Sequence, residues 1–151
     1  MRLIFFFFAL IGFFSGSAHS LPEEENSVRV KEFYSSDIKR ATFLHISNVI
    51  DANNIFSILD EETGEILKLK FIKIHDPVRQ ISDEIYFACT DFHVLGEPEK
   101  IYDVDFRLDH NNVNLSVFQV KIHKEPRRSI LYGWYKYPRY TFVNDEIEYL
   151  Y

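Results

Sequence analysis

The sequence predicts an α+β fold, with an N-terminal helix packed on one face of an antiparallel meander sheet of five or slightly more strands. Two observations support this prediction. One segment, residues 37–50, carries apolar residues at a spacing of three and four, whereas the segments after it alternate apolar and polar residues at a period of two. Short runs rich in Asp, Asn, Gly and Pro separate the alternating segments, which is typical of turns between consecutive strands.

The start of the chain predicts an export signal. A basic N-terminus precedes an apolar run over residues 3–14, and Ala18 and Ser20 in the following small-residue stretch fit a signal-peptidase site. The run is shorter than the roughly 20 residues that span a bilayer. We therefore expect residues 1–20 to be cleaved and the mature protein to be periplasmic or secreted, with no membrane insertion after cleavage.

A single domain is expected after the signal. Residues 21–34 are acidic and polar and predict a mobile N-terminal arm, and residues 35–151 predict one α+β domain. Its last part, residues 127–151, is an aromatic–basic segment. The net charge is −6 at pH 7, which argues against a nucleic-acid partner because phosphate binding depends on basic surface. Cys89 is the only cysteine, so no intramolecular disulfide is expected.

The helix is predicted at residues 37–50, where Ile38 and Ala41 begin the apolar spacing and Ser35 or Ser36 is a candidate N-cap. Strands are predicted at residues 55–59, 66–75, 84–95, 101–108 and 113–123, and short edge strands at 132–137 and 140–143. A break is expected at Pro126, because proline cannot donate to a strand ladder.

The segment 84–95 is expected to be the central strand, and its pairing with the next strand can be predicted. If Phe92 faces Val104 and Ala88 faces Leu108, the apolar side chains of both strands share one face. The same register pairs polar residues on the other face: His93 with Asp103, Asp91 with Asp105, and Cys89 with Arg107.

The second face of the sheet is therefore a candidate binding surface. Its residues are polar or charged, and two further candidates come from the aromatic–basic segment: Asp91, His93, Asp103, Asp105, Arg107, Lys121 and His123, together with Trp134 and Arg139. Half-solvated antiparallel sheets also carry a polar outer face, so one interpretation is solvated surface alone. The other is a polar cleft, roofed by the aromatic–basic segment, that binds a small ligand.

Two short Lys-Ile-His repeats end predicted strands, at His75 and at His123. We expect the meander to carry them to opposite edges of the sheet, so that His93 and His123 share a site and His75 does not.

Specific chemistries receive weaker support. His93, Asp103 and His123 are ligand types that zinc accepts, but no element carries a ligand spacing such as His-Glu-x-x-His, so no metal or cofactor is assigned. Cys89 and His93 are about 13 Å apart along one strand, too far for a nucleophile–base pair. No residue is assigned a catalytic role.

The sequence thus favours a small exported, non-enzymatic domain that binds a small ligand or a protein. The binding surface would combine the polar sheet face with the aromatic–basic segment. The alternative is a small exported hydrolase that uses Asp and His residues of the same face, with or without a metal ion.

Overall fold

The computed structural model describes residues 32–150, except residues 83, 112 and 145. The predicted export signal and most of the predicted arm lie outside the described residues. Where the chain is described, the α+β class is confirmed, because one helix packs against a large antiparallel sheet. Within the described ranges, no helix has the length and apolar character needed to cross a membrane.

Helix α1 spans Ser35–Val49. The strands of the described residues are, in chain order, β1 (Phe56–Leu59), β2 (Ile66–Ile74), β3 (Arg79–Gln80), β4 (Tyr86–Val94), β5 (Glu97–His110), β6 (Leu115–Ser129), β7 (Gly133–Pro138), β8 (Tyr140–Val143) and β9 (Glu146–Tyr149).

The main sheet has the strand order β1-β2-β4-β5-β6-β7, with the short β3 also paired to β4, and all of its pairings are antiparallel. Strands β8 and β9 form a separate hairpin. The expected break at Pro126 is wrong, because β6 continues to Ser129. Strand β5 pairs with β6 only as far as Lys124, so Pro126 lies where β6 has a neighbour on one side, a position that tolerates proline.

Helix α1 begins two residues earlier than predicted and is held at its start by Asp37, whose carboxylate accepts a 3.1 Å hydrogen bond from the backbone N–H of Tyr34. Three residues at a spacing of four, Ile38, Thr42 and Ile46, are buried against the sheet. The threonine hydroxyl is satisfied inside the helix, since it donates a 2.9 Å hydrogen bond to the carbonyl of Ile38. The helix is therefore amphipathic, and its buried stripe covers one face of the sheet.

The core lies between α1 and the even-numbered side chains of β4, as the alternation predicts. Ala88 and Phe92 of β4 are fully buried, and the rings of Phe56 and Phe92 stack with their centroids 4.8 Å apart. Phe33, within the segment expected to be a mobile arm, is buried in the same core and contacts Tyr86 edge to face.

The predicted register between β4 and β5 is wrong by two residues. Thr90, not Phe92, lies opposite Val104, and His93 lies opposite Ile101. A shift of two keeps every side chain on its predicted face, so the faces are correct and the partners are not. The physical reason is the tight turn at Gly96, whose φ of +82° lets β5 begin four residues earlier than expected.

Candidate functional site

Three carboxylates form a row on the sheet face opposite the helix. Asp91 comes from β4, whereas Asp103 and Asp105 come from β5, and register places Asp91 directly opposite Asp103. Their exposed fractions are 6%, 0% and 2%. This carboxylate row is therefore not the solvated surface that one interpretation of the sequence expected, and each of its charges needs partners inside the protein.

The β8–β9 hairpin buries one end of the row. The Tyr140 ring stacks on His123 with centroids 4.7 Å apart, and its hydroxyl donates a 2.6 Å hydrogen bond to Asp105 Oδ2. Phe142 of the same strand packs edge to face against Phe87 and against His123. Residues of the aromatic–basic segment thus cover this end of the polar face, and no open cleft remains at this end among the described residues.

Cys89 belongs to this closed end. Its thiol donates a 2.8 Å hydrogen bond to Asp105 Oδ1, and His123 Nδ1 lies 3.8 Å from its sulfur. Burial, followed by the negative charges of Asp105 and Asp103, raises the pKa of the Cys89 thiol far above its usual range. Burial and the Asp105 charge likewise raise the pKa of Tyr140. Both groups are protonated donors at neutral pH, so the thiol lacks the lowered pKa that a nucleophile needs.

A bulge in β6 aims two consecutive side chains at the carboxylate row. Asp103 pairs with Lys124 while the next residue of β5 pairs with Ile122, so His123 is the extra residue. His123 Nδ1 lies 3.4 Å from Asp105 Oδ2. Lys124 Nζ donates a 3.1 Å hydrogen bond to Asp103 Oδ2. In a regular strand one of these two neighbours would point to the other face.

Asp103 is the least satisfied member of the row. Its Oδ1 is buried and has no hydrogen-bond partner among the described residues. Burial lowers the pKa of Lys124. The negative charge of Asp103 and the hydrogen bond to it outweigh this effect, so the pKa of Lys124 is raised. Asp103 therefore has a lysine partner on one oxygen and no hydrogen-bond partner on the other among the described residues.

The other end of the row is open to solvent. His75 Nε2 lies 2.9 Å from Asp91 Oδ2, and Lys136 Nζ donates a 2.7 Å hydrogen bond to Asp91 Oδ1. These three residues line a surface cavity of about 460 Å³, together with Lys73 and Asp76. Burial raises the Asp91 pKa, but the hydrogen bonds from Lys136 and His75 outweigh it, so the pKa is lowered.

The prediction that His75 stays apart from this site is wrong. Strand β2 is a direct neighbour of β4, and the backbone N–H of His75 donates to the carbonyl of Cys89. Both Lys-Ile-His repeats therefore end at the carboxylate row, His75 at its open end and His123 at its closed end.

Several predicted site residues lie outside the row. His93 is opposite Ile101 and its Nδ1 is 3.0 Å from the carbonyl of Val94, so it does not pair with Asp103. Arg107 lies above the ring of Phe142, at 6.0 Å from its centroid.

The remaining predicted residues also have partners within the fold. Lys121 donates a hydrogen bond to the hydroxyl of Tyr149. Trp134 lies beneath the ammonium group of Lys100, at 4.9 Å from the ring centroid. Lys121 lies opposite Asp105 in the β5–β6 register, but among the described residues neither Lys121 nor Trp134 forms a side-chain hydrogen bond or ion pair with the row.

Arg139 is a buried structural residue. It is 4% exposed, and its Nη1 and Nη2 donate hydrogen bonds of 2.6 and 2.8 Å to the two carboxylate oxygens of Asp60. Its Nε donates a 2.9 Å bond to Glu125. The hydrogen bond from Arg139 is the main cause of the lowered pKa of Asp60. Because Arg139 is buried and its N–H groups bond Asp60 and Glu125, it is not accessible to a ligand.

Sequence reasoning missed most partners of the buried charges. The sequence places Tyr140 and Lys136 only in the aromatic–basic segment, and it assigns neither Asp60 nor Lys124 to a candidate site. Alternation places the three carboxylates on one face, and the Lys-Ile-His repeat is a second signal, because it marks both strand ends that reach the carboxylate row.

The end of the β6–β7 hairpin is the most exposed apolar feature of the described chain. Ser129 pairs with Gly133, and the turn between them, Ile130, Leu131 and Tyr132, has exposed fractions of 104%, 82% and 83%. We call these three residues the hairpin tip. The strands below the tip are paired from Lys124 to Pro138, so the tip projects from an ordered support.

Comparison with protein-family models, curated proteins and solved structures finds no match for this chain. Three features of the structure bear on function: the buried carboxylate row, the cavity at His75, and the hairpin tip.

Proposed function

We propose that this protein is an exported, non-catalytic domain that binds a partner protein through its hairpin tip. One observation carries the proposal: Ile130, Leu131 and Tyr132 are three consecutive large apolar side chains, all of them more than four-fifths exposed. Single exposed apolar residues are ordinary, but a contiguous group at the end of a projecting hairpin is typical of a contact surface.

The charges around the tip indicate the chemistry of the partner. Residues 126–138 contain Arg127, Arg128 and Lys136 and no acidic residue, in a chain whose net charge is −6. A partner with an apolar pocket bordered by carboxylates would match both the apolar tip and its basic border, and such complementarity accelerates association and selects the partner.

The hairpin is also suited to binding because it is already ordered. Arg127 Cζ lies 3.7 Å from the ring centroid of Tyr137 on the opposite strand, and Arg127 Nε donates a 2.7 Å hydrogen bond to Glu125. The contact between Arg127 and Tyr137 joins β6 to β7 close to the tip, whereas the hydrogen bond to Glu125 lies within β6 and fixes the arginine side chain. A pre-ordered loop loses less conformational entropy on association than a mobile one, so more of its contact energy is available as affinity.

The polar sheet face does not contribute to the proposed surface. Asp103 and Asp105 are buried, and Arg139 is hydrogen-bonded to Asp60. The ring of His93 contacts the backbone carbonyl of Val94, the next residue in the chain. The proposal therefore keeps the aromatic–basic half of the surface expected from the sequence and relocates its centre to the tip.

Quantitative capture tests the proposal. The tagged mature chain and the triple variant Ile130→Ser, Leu131→Asp, Tyr132→Ser are compared for partners captured from the natural source, and the captured protein is then titrated against each. We expect the variant to bind at least about 30-fold more weakly, since a hot spot contributes about 2 kcal/mol or more. Arg128→Glu should weaken binding less and mainly slow association.

The matched control is Ile66→Ser, an apolar residue of β2 that is 64% exposed and outside the tip. It should bind as the wild type does. Unchanged affinity in the triple variant, or an equal loss in the control, contradicts the proposal. Binding to lipid vesicles alone, without a protein partner, also contradicts it.

A second candidate function, hydrolysis, is favoured by the His75–Asp91 pair at the open cavity. A carboxylate that holds one imidazole nitrogen leaves the other free to act as a general base, and Lys136 supplies a cation beside it. Assays with chromogenic ester and phosphate substrates test this candidate. Turnover that is lost in His75→Ala and kept in the tip variant would favour hydrolysis, and absence of turnover with every substrate would count against it.

A further inference from the structure

The closed end of the carboxylate row contains four groups that bind metal ions in proteins. They come from three adjacent strands, and their ligand atoms all lie within 4.8 Å of one another: Cys89 Sγ, one carboxylate oxygen each of Asp103 and Asp105, and a ring nitrogen of His123. The β4–β5 register brings Cys89 opposite Asp105, and the β6 bulge adds the imidazole. Neither the proposed binding surface nor the His75 cavity uses this cluster.

The unpartnered oxygen of Asp103 indicates that the cluster lacks a component. Asp103 is fully buried, and its Oδ1 has no hydrogen-bond donor among the described residues. A buried carboxylate oxygen without a partner is costly, and native proteins leave few such groups without a water, an ion or a ligand.

The charges in the cluster point to a cation. Asp103 and Asp105 are buried acids two residues apart on one strand face, and among the described residues the ammonium group of Lys124 is hydrogen-bonded to Asp103 alone. The hydrogen bonds to Asp105 come from the thiol of Cys89 and the hydroxyl of Tyr140, which are neutral donors. A divalent cation would neutralise the excess negative charge and supply the missing partner of Asp103.

Two of the distances between candidate ligand atoms agree with tetrahedral zinc coordination. Around a tetrahedral zinc ion, sulfur and nitrogen ligands are about 3.6 Å apart and nitrogen and oxygen ligands about 3.3 Å apart, given the usual bond lengths. His123 Nδ1 lies 3.8 Å from Cys89 Sγ and 3.4 Å from Asp105 Oδ2. The 2.8 Å contact from Cys89 to Asp105 Oδ1 is the hydrogen bond of the protonated thiol, and it involves the other oxygen.

We propose that Cys89, Asp103, Asp105 and His123 bind one zinc ion in a closed site with four protein ligands. On binding, the thiol proton leaves to solvent and the sulfur forms a bond to zinc, while Asp103 Oδ1 becomes a ligand. The Tyr140 hydroxyl and Lys124 remain hydrogen-bonded to the coordinating carboxylates and orient them. Four protein ligands leave no position for a substrate, so the ion links β4, β5 and β6 and has a structural role.

Cobalt substitution in the full chain tests this site. Chelator-treated wild-type protein is titrated with Co²⁺ and then with Zn²⁺. We expect one equivalent of Co²⁺ with a thiolate-to-cobalt charge-transfer band, displaced by Zn²⁺. Cys89→Ser should lose the band, and Asp103→Asn and His123→Ala should each weaken binding at least tenfold. Absence of the band in the wild type overturns the proposal.

Two variants serve as matched controls. His93→Ala removes an imidazole on β4 that contacts the Val94 carbonyl, and His75→Ala removes the imidazole at the open end of the row. Both should bind Co²⁺ as the wild type does. A loss of binding in His75→Ala with retention in Cys89→Ser would place the metal at the open end, against the proposal.

Thermal unfolding keeps the proposal testable if a ligand variant folds poorly. Zinc at about a hundredfold excess over its Kd should raise the wild-type Tm by roughly 5 °C or more, because the ion binds only the folded state. His93→Ala should show the same rise. An unchanged wild-type Tm with saturating zinc contradicts the site.

Discussion

Arg139 joins segments that are far apart in the sequence. Its guanidinium contacts Asp60, which follows β1, and Glu125 in β6, and the arginine and Asp60 are both buried. Forming such a group requires the removal of water from every charge in it, so its net contribution to stability depends on all partners being present. Removing one partner leaves a buried charge without compensation.

Replacement of Asp60 should therefore destabilise the protein strongly. We expect Asp60→Ala to lower the free energy of unfolding by about 3–5 kcal/mol, because Arg139 would remain buried without its bidentate partner. Urea titration followed by circular dichroism measures the change. Asp76→Ala is the matched control, since its ion pair with Lys39 is exposed and should contribute less than about 1 kcal/mol. Equal effects in the two variants would contradict the role given to Arg139.

Acid should unfold the protein through its paired carboxyl groups. The hydrogen bond from Arg139 lowers the pKa of Asp60. For Glu125, burial opposes ionisation but the hydrogen bonds from Arg127 and Arg139 outweigh it, so its pKa is also lowered. A lowered folded pKa adds stability above the unfolded values of 3.8 and 4.5, and this stability is lost as the pH falls through the folded values.

Urea midpoints measured from neutral to acid pH check this dependence. They should be level above about pH 5 and fall steadily below about pH 4. The urea midpoint of Asp60→Ala should fall less on acidification, because this variant lacks the Asp60 carboxyl group whose lowered pKa contributes to the pH dependence. A wild-type midpoint that rises on acidification would contradict the assignment.

At the scale of elements, the β8–β9 hairpin controls access to the closed end of the carboxylate row. Tyr140 supplies the hydrogen bond to Asp105, and Phe142 supplies the packing against Phe87 and His123. Cys89 lies in β4, against which the hairpin packs. The reactivity of its thiol therefore reports whether the hairpin is packed against the sheet.

Loosening the hairpin should expose Cys89. We expect Phe142→Ala to accelerate alkylation of the thiol by iodoacetamide at least about tenfold, which corresponds to a loss of about 1.4 kcal/mol in hairpin packing. Mass spectrometry of timed samples gives the rate. Val143→Ala changes an exposed residue of the same strand and should leave the rate unchanged. No acceleration in Phe142→Ala would mean that the hairpin does not protect the thiol.

The sequence allowed the faces of β4 and β5 to be predicted but not their exact partners. Alternation places Ala88 and Phe92 in the core and Asp91 on the opposite face, and each lies where its parity requires. Register depends on the turn at Gly96 and on the bulge at His93, and a shift of two residues is invisible to alternation.

The composition of the site was less predictable than its location. A bulge inserts one extra residue into β6 and so brings His123 and Lys124 to the same face. No local residue pattern predicts this bulge. The role of His75 depends on the sheet order, and that of Arg139 on a contact with Asp60 from a distant part of the chain. Such long-range pairings are set by the assembled fold and cannot be derived from periodicity.

At the scale of the whole molecule, we propose that an export signal is removed from the start of the chain. The small-residue stretch ending at Ser20 predicts a mature N-terminus at Leu21. Mass spectrometry of the protein isolated from its natural source measures this end directly. A chain that retains its first twenty residues would contradict export by cleavage.

The distribution of charge and apolar surface distinguishes two parts of the molecule. The body buries its carboxylates among lysine, histidine and arginine side chains, whereas the β6–β7 hairpin carries a basic, apolar end away from that body. The internal polar site and the external tip are therefore distinct, and we propose that the tip is the part that contacts a partner protein.

Site-specific photo-crosslinking tests most directly whether the hairpin tip is the binding surface. A photo-reactive phenylalanine analogue replaces Leu131 in one sample and the exposed Ile66 in a second, and both are irradiated in the natural source. We predict one dominant cross-linked protein at position 131 that is absent at position 66 and is lost when Ile130→Ser and Tyr132→Ser are added together. The same protein cross-linked equally at both positions, or none at position 131, would contradict the account.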